Sequence, residues 1–300
     1  MLGPVVEDAI EGIAGDRTSS ASRLARVALE TMALATLERP GQRDPATLAE
    51  IARRISEAQP AMAIVHNVVH MFAGLVAEGH EPMAVLRQLL EELDTARERI
   101  GKTFLKIAPD RATVLTLSYS ESVRACLLAA HNRGRIVRVL VMEAGPAFEG
   151  RGMAAALGRD GIPVEVLTDE VGPTRAAEAT YVLVGADSVL RDGSLVNKRG
   201  TLPLSQSARA LEKPVYVACE SLKFDARFDA ASWPGATMQD LFDLTPRPDH
   251  HGRNGTRDVC AGHPPHDPGS GPKRTPPAIA SCRTEGRPTK VQILSCITLL

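Results

Sequence analysis

Aromatic side chains are scarce in this sequence: tryptophan, tyrosine and phenylalanine together make up 3% of its 300 residues. Bases stack on aromatic platforms, so a groove for single-stranded nucleic acid is disfavoured. A dominant charge is lacking too, because 35 lysines and arginines meet 36 aspartates and glutamates, and no global field draws nucleic acid or an anionic membrane. No apolar run approaches the roughly 18 residues of a membrane span. The start, MLGPVVEDAI, carries two early acids and no basic segment, unlike a secretory leader, so a cytoplasmic chain is expected. Only five cysteines occur, none in a Cys-x-x-Cys pair, so neither a zinc site nor a disulfide framework is indicated. Both nucleotide fingerprints, Gly-x-Gly-x-x-Gly after the first strand and Gly-x-x-x-x-Gly-Lys-[Ser/Thr], are missing. No cofactor and no metal are called for.

What is present changes period once along the chain. Leu24, Val27, Ala28, Thr31, Met32, Ala35 and Leu37 give a roughly helical stripe, capped by Asp16 or by a serine among residues 19–22. Pro45-Ala46-Thr47 opens a second helix, Pro60 breaks the pattern, and further helices are predicted over 62–78 and 81–106. His66 and His70, four apart on one face, invite a metal reading, but no acidic or cysteine partner stands near and packing histidines are the better expectation. From Ala112 onward, β-rich runs at 112–117, 135–142, 164–167, 181–184 and 215–219 alternate with helical segments and carry no hairpin signal. A parallel, doubly wound sheet is the architecture this predicts. The expected division is an N-terminal helical subdomain over 1–107, a Rossmann-like sheet subdomain over 108–246, and a disordered tail over 247–300.

Ligands of open α/β sheets collect where strands end. Here those ends carry Asp187, Asn197, Lys198, Glu220 and Lys223. An acid, an amide and two ammonium groups suit a phosphorylated polyol, with lysines meeting phosphate and the carboxylate meeting hydroxyls or moving a proton. Ser118 and Ser120 stand where the first strand meets a helix; they either help its N-terminal N–H groups hold a phosphate or simply cap the helix. No Gly-x-Ser-x-Gly surrounds them, so a hydrolase nucleophile is not indicated.

Taken together, Leu115-Thr116 with Tyr119-Ser120, Val141 to Glu143 with Pro146, Gly161 to Val164, Val184-Gly185-Ala186-Asp187, Asn197-Lys198 with Gly200-Thr201, Glu220-Ser221 with Lys223-Phe224, and Asp243 to Pro246 resemble the translation initiation factor 2B alpha/beta/delta family. That family includes ribose-1,5-bisphosphate isomerase and 5-methylthioribose-1-phosphate isomerase. The resemblance spans about residues 16 to 246 and implies a homo-oligomer binding a small phosphorylated sugar or nucleotide. In the isomerases a cysteine and an aspartate interconvert aldose and ketose. Carried over, Asp187 is the acid, Asn197, Lys198 and Lys223 grip the substrate, and Ser120, Glu121 and Ser122 form the phosphate loop. Ser118 stands at the position of the cysteine, and a hydroxyl is a poor proton carrier near neutrality. Three arginine positions are also changed: Ser19 to Ser22 replace Arg-Gly-Ala-Gly, Gln59 precedes Pro60, and Glu143-Ala144-Gly145-Pro146 replaces Glu-x-Arg-Pro. With each charge-assisted bond worth about 1.5–3 kcal/mol, a bisphosphate loses much of its grip. The resemblance therefore implies a binding protein, non-catalytic or weakly catalytic, with an isomerase acting through Asp187 as the alternative.

After Pro246 the resemblance stops, and Pro, Gly, Arg and His dominate. If Asn254 to Asp258 are encoded AAC GGA ACG CGG GAC, reading one base later gives Thr-Glu-Arg-Gly, the pattern the family shows at this point. Residues from about 247 onward are thus expected to be out of frame, against the alternative of a genuine disordered tail, and sequencing the gene decides between the two.

Overall fold

The computed structural model describes residues 3–16, 19–38, 44–234 and 241–247, and the backbone of 291–294. Five helices come first: α1 (Pro4–Gly15), α2 (Ala21–Glu38), α3 (Pro45–Ala58), α4 (Ala63–Ala77) and α5 (Pro82–Phe104). Their starts follow local chemistry. Ser20 Oγ accepts from Arg23 N at the head of α2, Asp44 Oδ1 accepts from Thr47 N ahead of Pro45, and the Glu81 carboxylate accepts from Met83 N and Ala84 N ahead of Pro82. The apolar stripes meet in one core, which includes Leu24, Leu29, Met32, Leu48, Ile51, Ile55, Ile64 and Phe72, all nearly or fully buried.

The six-stranded sheet that follows runs in the order β10-β7-β4-β1-β2-β3, with every pairing parallel. Its strands are β1 (Ala112–Leu117), β2 (Ile136–Met142), β3 (Val164–Leu167), β4 (Tyr181–Val184), β7 (Val215–Ala218) and β10 (Val291–Leu294). Both faces are covered, because successive side chains point to opposite sides. Val114, Val139, Val141, Tyr181, Leu183 and Tyr216 face α6 (Glu121–His131), α7 (Glu149–Arg159) and the end of α5. Leu115, Leu140, Val182, Val184 and Val217 face α8 (Thr201–Ala210) and the 3-10 turn Gly172–Glu178. Three of the few aromatics, Phe104, Tyr181 and Tyr216, meet edge to face here at centroid distances of 5.4 to 6.0 Å.

One part of the sequence reading needs correcting. Between β4 and α8 the chain makes a hairpin, β5 (Ser188–Leu190) and β6 (Leu195–Lys198), which pair antiparallel around Asp192-Gly193. Leu190 N donates to Ser194 O at 2.8 Å, and Ser194 N donates to Asp192 Oδ1. The strands are too short for alternation to be legible, and so the Asp-Gly pair reads as a simple turn. With β8 (Phe224–Asp225) and β9 (Phe242–Thr245) they form a second sheet, β8-β5-β6-β9. Leu190, Val196 and Phe242 of this sheet are buried in the helical core, which seats the helices on the strand ends. Ser188 Oγ accepts from Ala63 N and donates to Ala61 O, while Asn67 Nδ2 donates to Leu222 O and Phe224 O.

Of the expected tail, residues 248–290 and 295–300 lie outside the described residues, and with them the stretch on which the frame-shift reading rests. Val291–Leu294 pairs alongside β7 as the edge strand of the main sheet.

The two helical histidines stack at 4.2 Å between ring centroids. Burial, with the Arg227 guanidinium second, pushes the His66 imidazole down to about 4. Because that lies below the ordinary 6.5, the neutral ring contributes its stability fully above about pH 6.5 and loses it as pH falls toward about 4. Urea unfolding across this window is expected to show a falling midpoint, with a shallower fall in His66→Leu. Identical slopes for the two proteins would reject the assignment.

Candidate functional site

β1, β4 and β7 are neighbours, so the loops leaving their carboxyl ends converge. β1 runs into Ser118 to Ser122, β4 into Gly185 to Asp187, and β7 into Cys219 and Glu220, followed by the 3-10 turn Ser221–Lys223. Two glycines permit the closeness. A Cβ on Gly185 would stand 2.7 Å from Ser120 Oγ and 2.9 Å from Ser120 Cβ, so only glycine lets the β4 loop lie against the head of α6. At Gly150 a Cβ would overlap the Met142 carbonyl oxygen, and its absence draws the first turn of α7 tight against the end of β2.

The result is a cavity of about 570 Å³ between the strand ends and the helices, lined by the eight candidate site residues Ser118, Ser120, Glu121, Ser122, Asp187, Asn197, Lys198 and Lys223, whereas Glu220, the remaining strand-end residue, is not in the lining. The first turns of three helices open onto it, through Ser20 and Ser22 of α2, Ser120 to Ser122 of α6, and Glu149 of α7. Helix N-termini carry unpaired N–H groups and partial positive charge, which favour an anion. Ser120 caps α6, its Oγ accepting from Val123 N at 3.4 Å. Capping and lining thus coexist in this serine.

The electrostatics are more balanced than two lysines imply. Lys223 is buried and pairs with Glu220 at 3.1 Å. Glu220 Oε1 also accepts from Ser122 Oγ at 3.0 Å and from Ser22 Oγ at 3.3 Å, which ties α2 to α6 beneath the cavity floor. Burial is the largest influence on both and opposes both charges, but the opposite charges and hydrogen bonds around them together prevail: the Glu220 carboxyl is held below its ordinary value and the Lys223 ammonium above its own. Lys198 Nζ donates to Glu149 Oε1 at 2.8 Å. Asp187 faces the cavity from deep within the protein, and burial raises its carboxyl against the pull of Lys223 and Lys198. That favours a retained proton, the state of a general acid.

Ser118 sits in the left-handed region at φ 59°, uncommon for a residue with a side chain, and its Oγ lies 3.5 Å from Glu149 Oε2. Among the described residues no thiol lines the cavity. Cys126 and Cys219 are buried elsewhere, and burial pushes Cys219 up to about 12 and Cys126 higher still.

Of the three altered arginine positions, two border the cavity. Ser19, Ser20 and Ser22 line it, as does Gln59, whose amide donates to Ile13 O and Asp16 O. The third does not: the Asp169 carboxylate accepts from Ala144 N and Gly145 N, away from the lining. Sequence reasoning also missed Glu149, Asp16 and Tyr119, all in the lining. Glu149 follows the same strand-end logic one strand over, in the β2 to α7 connection. Asp243 has a plain structural role, accepting from Gly200 N and Leu202 N at the head of α8.

A doubly wound sheet with a polar cavity at its strand ends, closed over by a helical layer, places this chain among the α/β proteins. Residues 17–252 match the Initiation factor 2 subunit family, and the chain belongs to that family. It is 29% identical over 256 residues to an eIF-2B subunit 2-like protein of Pyrococcus furiosus, covering 82% of this chain and 92% of that one. A ribose 1,5-bisphosphate isomerase of Haloterrigena turkmenica is 29% identical over 231 residues, covering 74% and 71%. Among solved structures, translation initiation factor eIF-2B of Pyrococcus horikoshii superposes with a TM-score of 0.72 at 24% identity, covering 82% of this chain and 92% of that one. Among the described residues no helix is long and apolar enough to cross a membrane.

Proposed function

We propose that this chain is an initiation-factor-2B-like protein that binds a phosphorylated sugar or nucleotide at the strand ends and has little or no catalytic activity. The observation that carries this reading is the meeting of the α2 and α6 first turns with Lys198, Lys223, Asn197 and Asp187 around one cavity. Phosphate seats on the free N–H groups and serine hydroxyls of the two helix heads, and the polyol reaches the amide, acid and ammonium groups opposite. Catalysis is weak because proton transfer between adjacent carbons needs a base matched to neutral pH. A serine hydroxyl stands where the isomerases carry a thiol. Assembly into a homo-oligomer is part of this proposal; a related chain from Chaetomium thermophilum has been solved within a tetrameric eIF2B-beta2-delta2 complex.

The second reading, an aldose-ketose isomerase, is favoured by the raised Asp187 carboxyl, which suits a proton donor. Incubation with ribose 1,5-bisphosphate and with methylthioribose 1-phosphate, followed by NMR, separates the two readings. No ketose is expected above the uncatalysed background. Turnover that disappears in Asp187→Asn would establish the isomerase instead.

A further inference from the structure

Glu149 opens α7, and its carboxylate accepts from Lys198 Nζ at 2.8 Å and from Ser118 Oγ at 3.5 Å. An ammonium, a hydroxyl and the positive end of a helix are the partners a phosphate group seeks. Here a side chain of the protein itself has all three. The placement is fixed by the backbone, since Phe148 enters the helix at φ 55° and Gly150 brings the turn against β2. Both members of the pair are largely shielded, Lys198 at 17% and Glu149 at 21% side-chain exposure, so solvent screens the contact less than it would on the surface.

The charges of the lining add weight. Among the described residues its cations are Lys198 and Lys223, and its acids are Asp16, Glu121, Glu149 and Asp187, the last of which favours its proton. Lys223 is balanced by Glu220, and Lys198 by Glu149. Each ammonium therefore brings donors to a ligand without surplus charge. Further N–H groups stand at the α2 and α6 heads, beside Asp16 and Glu121, and the single phosphate of the reading above is seated there. A second phosphate at the other end would meet the carboxylate of Glu149.

We propose that the Glu149 carboxylate is a built-in substitute for a ligand's second anionic group, so that the cavity selects ligands with one phosphate and turns the Lys198–Glu149 pair toward their hydroxyls. The proposal rests on the reading of this cavity as a sugar-phosphate site. Glu149 is then a specificity-determining residue: it discriminates by repulsion rather than by an added contact.

The test is calorimetric titration of the full chain and of Glu149→Gln with ribose 5-phosphate and with ribose 1,5-bisphosphate. Glutamine keeps the length and an acceptor for Lys198 and removes the charge. The unaltered protein is expected to prefer the monophosphate. Because like-charge juxtaposition is strongly unfavourable, Glu149→Gln is expected to tighten the bisphosphate by about tenfold or more while moving the monophosphate by less than about threefold. Adding Lys198→Ala to Glu149→Gln should erase the gain. Glu149→Ser, which removes the same charge with a shorter side chain, must shift the preference in the same direction and serves if the glutamine variant melts early. A bisphosphate bound as tightly as the monophosphate by the unaltered protein, or a variant that shifts both ligands equally, overturns the role of Glu149 and leaves the sugar-phosphate reading standing. Binding of neither ligand by any of the proteins overturns both.

Discussion

Lys223→Met is expected to destabilise the fold by about 3–5 kcal/mol, because it strands a buried carboxylate. Glu220 is 2% exposed and Lys223 6%, and they meet at 3.1 Å. With the ammonium gone, Glu220 keeps only the hydroxyls of Ser22 and Ser122 on Oε1, and it must either stay charged in a poorly solvated place or take up a proton. For a chain of this size the loss corresponds to a fall in melting temperature of roughly 10 °C. The double variant Lys223→Met with Glu220→Gln should recover much of the loss, since the charge that needed a partner is gone. Thermal melts of the three proteins measure this, and a single variant within about 1 kcal/mol of the parent would show that the pair is dispensable. The pair also sets a pH window. Glu220 lies below its ordinary 4.5, so its contribution holds above that value and is lost as pH falls through the depressed one. Lys223 lies above its ordinary 10.5, so its contribution holds below that value and is lost only as pH climbs through the raised one. Between the two the pair adds no slope.

Lys198→Ala should act on binding rather than on folding. Its ammonium is more exposed than that of Lys223, and an ammonium has three donors, of which Glu149 takes one. Removing it deletes a charge-assisted bond to the ligand, worth about 1.5–3 kcal/mol, and leaves Glu149 unbalanced inside the cavity. Calorimetry with ribose 5-phosphate is expected to show affinity lower by about tenfold to a hundredfold, with the melting curve nearly unchanged. Unaltered affinity would remove Lys198 from the site and weaken the proposed function with it.

Much of the scaffold was legible without coordinates, for reasons that can be named. The helical stripes of α2 to α5 are long enough for period to declare itself, the runs that became β1, β2, β4 and β7 are dominated by apolar and β-branched residues, and Asp44 ahead of Pro45, Glu81 and Ser120 mark helix starts through local hydrogen bonds. The candidate site residues were legible because topology places strand ends together whatever the loops look like, and all eight do line one cavity. The hairpin at β5 and β6 was hidden by strands of three and four residues. Glu149 was hidden because its significance lies in a contact with Lys198, 49 positions away.

Acting alone, the order of amino acids determined the local periods, the helix caps and the parallel layering, since each depends on neighbours within a turn or on the alternation of apolar residues. Tertiary structure alone decided which charges are free. In the linear chain Lys198 and Lys223 look like two cations waiting for phosphate, whereas in the fold each already faces a glutamate, and a charge satisfied from within attracts far less from without.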